Sequence, residues 1–79
     1  MNETELVQKA ISYLKNEYDE ETIGMTVMKN SVNEGSGILH VECTVCIGKH
    51  HSDWKKWFTF KGGSIVSMRW EQKPSRQQH

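Results

Sequence analysis

The stretch Ile38-Leu39-His40-Val41-Glu42-Cys43-Thr44-Val45-Cys46-Ile47 decides the fold. Leu39, Val41, Cys43, Val45 and Ile47 fall at every second position, with His40, Glu42 and Thr44 between them. Side chains of a strand point alternately to opposite faces, so the pattern makes one dry face and one wetter face. The rest of the chain must cover that dry face or extend the sheet around it.

Upstream, residues 3 to about 20 predict a helix. Asn2 can cap it, and Glu5 can reach back to complete a capping box. Leu6, Val7, Ala10, Ile11, Leu14 and Tyr18 form one apolar stripe at helical spacing. Asp19-Glu20-Glu21 is unfavourable at the negative end of the helix dipole, so fraying is expected there. Thr22-Ile23-Gly24 reads as the connection to a first strand over Met25–Val32. Within that strand, Met25 and Val27 favour one face and Met28 and Val32 the other, which implies a bulge or a twist. Asn33-Glu34-Gly35-Ser36-Gly37 is a loop of hairpin length leading into the Ile38 strand.

Downstream, Gly48 to Asp53 reads as a turn, Trp54 to Lys61 as a third strand, and Ile65 to Glu71 as a fourth. A two-residue turn at Gly62-Gly63 would pair Phe60 with Ile65, Phe58 with Ser67 and Lys56 with Arg69, and put polar residues in the core. A three-residue loop with a glycine bulge pairs Phe60 with Val66, Phe58 with Met68 and Lys56 with Trp70. It also sets Lys55 opposite Glu71 and Trp57 opposite Arg69, both favourable cross-strand pairs. The bulged register is the expectation, with Trp54, Phe58, Phe60, Met68 and Trp70 in the core. The predicted architecture is α+β: an N-terminal helix packed on a four-stranded antiparallel meander sheet (α-β-β-β-β) over residues 1–73. Residues 74–79 are expected to be a disordered polar tail.

At 79 residues, one domain with a small core is expected. A domain of this size buries only about 60% of its unfolded surface, so a homodimer or another protein partner would add needed stability. The formal net charge is zero, but residues 1–39 hold three lysines against seven acids, and residues 40–79 seven Lys or Arg against three. Complementary solvated surfaces, or a basic sheet face meeting an anionic partner, would both produce that split. No apolar run is long enough to span a bilayer, and the first residues do not resemble a signal peptide. With only two cysteines, a cytoplasmic protein with reduced thiols and no membrane role is expected.

The segment Phe58-Thr59-Phe60-Lys61-Gly62-Gly63-Ser64-Ile65-Val66-Ser67 resembles the last hairpin of nuclear-transport-factor-like domains. There, an aromatic-rich strand, a glycine turn and an isoleucine–valine pair recur. One helix on a curved meander is likewise similar to the cystatin-like fold. The resemblance implies an α+β fold. Members include enzymes, carriers and dimerisation domains, so it selects no function. The extra helices that wall a pocket in larger nuclear-transport-factor-like members have no counterpart here, and no cystatin-type inhibitory loop motif is present.

Cys43-Thr44-Val45-Cys46 has the spacing of a redox or zinc pair, with His40, His50 and His51 nearby. On a strand, however, residues three apart face opposite ways and lie roughly 10 Å apart. Cys43 is therefore expected in the core and Cys46 outside, with no metal, disulfide or cofactor. His50-His51-Ser52-Asp53 could orient a catalytic base, but no partnered nucleophile can be named, and turn formation with Asp53 bonding its own backbone accounts for it. No catalytic residue is assigned. The candidate binding residues are Trp57, Arg69, Lys55, His40 and Glu42 on the outer sheet face. Aromatic and basic residues interleaved on a sheet bind single-stranded nucleic acid in several folds, although Glu42 and Glu71 oppose this here. An apolar ligand in a groove at the helix–sheet boundary is a further alternative. The leading expectation is a non-enzymatic interaction domain that self-associates through the outer face around Trp57 or through an exposed strand edge.

Overall fold

The computed structural model describes residues 2–73. The expected 74–79 tail lies outside them. The order is α1 (Glu3–Tyr18), β1 (Glu21–Asn30), β2 (Gly37–Ile47), β3 (His50–Lys61) and β4 (Ser64–Gln72). The strands form one antiparallel sheet in sequence order, the α-β-β-β-β meander predicted.

The start of α1 follows from its first residues. Glu5 N–H donates to Asn2 Oδ1 at 2.9 Å, and Asn2 N–H to Glu5 Oε1 at 3.0 Å, closing the capping box. The helix ends earlier and more firmly than the acidic run suggests. Asp19 takes the left-handed conformation (φ 56°), and its N–H and that of Glu20 return to the Lys15 and Leu14 carbonyls. Lys15 holds both Asp19 (3.3 Å) and Glu21 (2.6 Å), which neutralises part of the charge at that end.

Leu6, Ala10 and Leu14 face the sheet and are buried with Leu39, Val41, Cys43, Val45, Phe58 and Phe60. Tyr13 meets Phe58 edge-on at 6.2 Å between ring centres. The alternation read along β2 is therefore the alternation found, with Cys43 buried and Cys46 on the other face.

β1 begins four residues earlier than expected and ends two earlier, and it carries two register breaks, at Ile23 and Met28. Each is an extra residue on the outer edge of the sheet, and both side chains are exposed. Those bulges explain the conflicting periodicity, because they return Thr22, Met25 and Val27 to the inner face opposite Val45, Cys43 and Val41. β3 likewise starts at His50 rather than Trp54, since Gly48-Lys49 alone makes the turn, with Gly48 at φ 61°.

The β3–β4 hairpin combines the two registers considered for it. Its tip is a two-residue turn with Gly62 and Gly63 both at positive φ, and Phe60 pairs with Ile65, not with Val66. The bulge sits one step later, where Val66 is skipped and left exposed. From Thr59–Ser67 onward the expected pairs hold: Phe58–Met68, Trp57–Arg69, Lys56–Trp70 and Lys55–Glu71.

Two residues of the core differ from expectation. Trp70 is 53% exposed, because α1 lies nearer β1 than β4 and leaves the far inner face of β4 open. Tyr18 meets it edge-on at 6.3 Å between ring centres. Lys56 takes the place that an apolar residue would hold in strict alternation and is 2% exposed. Its ammonium lies 3.3 Å from Glu20 Oε1 and 4.9 Å from the centre of the Trp54 ring. Glu20 Oε1 makes no aligned hydrogen bond, so the two groups meet as charges. Removing one member of such a pair strands the other in a dry core. Lys56→Ala should therefore cost about 3–5 kcal/mol in chemical denaturation, while Lys56→Met with Glu20→Leu should leave stability near the parent's or above it. A Lys56→Ala variant as stable as the parent would show the pair to be unimportant.

Candidate functional site: the outer sheet face and its free edge

The face of the sheet turned away from α1 carries every candidate binding residue, and β2, β3 and β4 arrange them in two rows. The first row is His40, Trp57 and Arg69, in direct cross-strand register. The His40 imidazole is stacked on the Trp57 indole, 4.6 Å between centres and 7° from parallel. The Arg69 guanidinium lies 5.7 Å from the same ring, coming from the strand on the other side. The indole is thus approached from both flanking strands. A nucleobase could stack there only by displacing one of its neighbours.

The second row is Glu42, Lys55 and Glu71. Lys73 donates to Glu42 Oε1 at 3.0 Å. That hydrogen bond holds the Glu42 carboxyl below the usual carboxylate range, helped by the nearby Lys55 and His40 charges. Because the folded value is the lower one, this contribution is present at neutral pH and disappears as the medium is acidified through it.

Both rows end on β4, which has no strand beyond it among the described residues. The first ends in a cation, Arg69, and the second in an anion, Glu71, two residues along the same face. Between them, on the opposite face, stands the half-exposed Trp70. From Ser67 to Gln72 the strand pairs with β3 without interruption, so its outer edge carries no bulge over six residues. The other edge, β1, is broken twice by bulges.

Three hollows among the described residues bear on the candidate sites. One of about 460 Å³ lies on the outer face against β1 and β2, lined by Lys29, Ser31, Gly37, Ile38, His40 and Trp57. A second, about 240 Å³, includes Glu42, Thr44, Asp53 and Lys73. The third, about 370 Å³, is the helix–sheet boundary where an apolar ligand was considered; only Tyr13 and Ile65 among its lining residues are apolar, beside Gln8, Lys9, Ser12, Asn16 and Ser64.

His50-His51-Ser52-Asp53 does not form the expected turn. As part of β3, it sends His51 and Asp53 to one face and His50 and Ser52 to the other. Asp53 accepts from the Thr44 hydroxyl at 2.5 Å, and Ser52 Oγ accepts from Trp54 Nε1 at 2.8 Å. Asp53 thus ties β3 to β2, and Ser52 braces the Trp54 indole within β3. Among the described residues, no group of three or more His, Cys, Asp or Glu is placed to hold a metal ion. No helix among them is long and apolar enough to cross a membrane.

These residues define a small α+β domain whose polar outer face runs to a charged edge that no other described residue pairs with. No protein-family model matches the chain, and no curated protein or solved structure matches it. The likeness of the Phe58–Ser67 hairpin to nuclear-transport-factor-like and cystatin-like domains gains no support from those comparisons.

The two thiols should differ sharply. Burial pushes Cys43 up to about 11, so it stays protonated at pH 8, whereas Cys46 is partly open to solvent and donates to the Gly48 carbonyl. Native protein treated with iodoacetamide at pH 8 should carry one label, on Cys46, and acquire the second only on unfolding. Equal labelling of both in the native state would contradict the placement of Cys43.

Proposed function

We propose that this chain is a non-enzymatic interaction domain that self-associates through the β4 edge. The observation carrying this reading is the unbroken Ser67–Gln72 edge, with Arg69 and Glu71 on one face and half-exposed Trp70 on the other. A free edge offers a row of backbone donors and acceptors to another strand. If two copies pair antiparallel about Trp70, Arg69 of each comes opposite Glu71 of the other. Trp70 then meets its own counterpart on the inner face that α1 leaves open. The arrangement is two-fold and closed, as an isologous dimer requires. Each Arg69 would lie between Trp57 of its own chain and the incoming carboxylate, joining the two outer-face rows across the dimer.

The outer face around Trp57 is the less favoured surface for a second copy. Its indole is already flanked by His40 and Arg69, and Glu42 is engaged by Lys73. A cytoplasmic setting suits the reading, because Cys43 and Cys46 are both free and lie on opposite faces of one strand.

Sedimentation velocity tests the proposal. The native chain should move from monomer toward dimer as concentration rises; an edge pair of this length is small, so the association should be weak and reversible. Arg69→Glu and Glu71→Arg should each be monomeric alone, since each sets like charges opposite one another. Mixing the two variants should restore dimers, because opposite charges then face one another across the edge. A strict monomer at millimolar concentration, or a mixture no more associated than its components, would overturn it.

A further inference from the structure

From the hollow beside Trp57, we infer that the β1–β2 side of the outer face binds a small organic carboxylate with an apolar body. The hollow is about 460 Å³, within the size range of ligand sites, and has both an apolar and a cationic wall. Ile38, 46% exposed, and the flank of Trp57 form the apolar side. Lys29 and His40 form the polar side; they are cross-strand partners on β1 and β2, brought level by the bulge at Met28.

Three features select an anion. No carboxylate among the described residues lines the hollow. Among the described residues Lys29 takes part in no ion pair, and the nearest acid along β2, Glu42, is held by Lys73. His40 Nε2 is buried yet has no hydrogen-bond partner, while its ring is pinned by the stack on Trp57. A buried polar atom without a partner is uncommon in a folded protein, and it marks a place where a bound group would complete the hydrogen bonding. A carboxylate at the Lys29 ammonium pairs that charge, a shift of the His40 ring out of its stack opens the buried Nε2 to the same group, and the apolar body rests on Ile38 and Trp57. The β4 edge lies on the far side of β3, so this site and self-association stand or fall separately.

Amide and imidazole NMR of the full chain, titrated with phenylacetate, provides the test. Phenylacetamide serves as the uncharged twin and inorganic phosphate as the bare anion. Phenylacetate should give saturable shifts at Gly37, Ile38 and His40 and at the Trp57 indole. Phenylacetamide should bind at least tenfold more weakly. Lys29→Gln and Ile38→Ser, both at exposed positions, should each weaken phenylacetate at least fivefold while the rest of the spectrum stays native. Equal binding of the amide, equal shifts from inorganic phosphate (an adventitious ion only), or no saturable shift with phenylacetate would each overturn the inference.

Discussion

The contact of Leu6, Ala10 and Leu14 with Leu39, Val41, Val45 and Phe58 is the constraint on which the rest depends. A 16-residue helix is marginal alone in water, and a sheet with one bare apolar face would aggregate. Each resolves the other's difficulty, at about 1.5–3 kcal/mol for every large side chain fully buried. The core is small, however, and one helix cannot cover four strands. Its closer approach to β1 leaves the far part of β4 with a tryptophan half in solvent. The open end of the domain is thus a consequence of how the helix is seated.

The two sheet edges are treated differently. β1 is interrupted at Ile23 and Met28, and such bulges twist an edge away from flat pairing. β4 has a single interruption close to its turn, at Val66, and is regular beyond it. The remaining deterrent there is charge, but Arg69 and Glu71 are of opposite sign. Opposite charges two residues apart discourage arbitrary strands while remaining compatible with a second copy of the same edge. The outer face follows the same logic in miniature, since cross-strand neighbours there are matched in charge or stacked in rings.

Much of this was legible in the amino-acid order because it rests on period-two alternation. β2, the opposite facing of Cys43 and Cys46, and the Trp57–Arg69 and Lys55–Glu71 pairs all follow from that rule. Asn2 and Glu5 likewise announce the start of α1 through local chemistry. What escaped was decided by contacts between distant residues. Alternation sets Lys56 on the face of Phe58, but its partner there, Glu20, thirty-six positions earlier, is brought against it only at the helix end. The early start of β1 is hidden because bulges at Ile23 and Met28 break the alternation on which strands are read. His50 to Asp53 resembles a turn by composition, yet β2 continues far enough to pair with all four residues. Trp70 shares a face with Phe58, and only the position of the helix determines that one is buried and the other open.

The loop after β1 and the β3–β4 turn touch each other. Gly63 N–H donates to the Gly35 carbonyl at 2.9 Å, and Gly62 N–H to Ser36 Oγ at 3.3 Å. A Cβ on Gly35 would come within 2.8 Å of the Gly63 nitrogen. That end of the molecule is therefore sealed by backbone against backbone, and neither loop can lengthen or take a side chain at its tip without prising the other away. At the opposite end, the Gly48-Lys49 turn has open space around Gly48 and no such neighbour. Extra sequence, a fused tag or relocated chain ends would be accommodated there, so the domain has one end closed to elaboration and one end free for it.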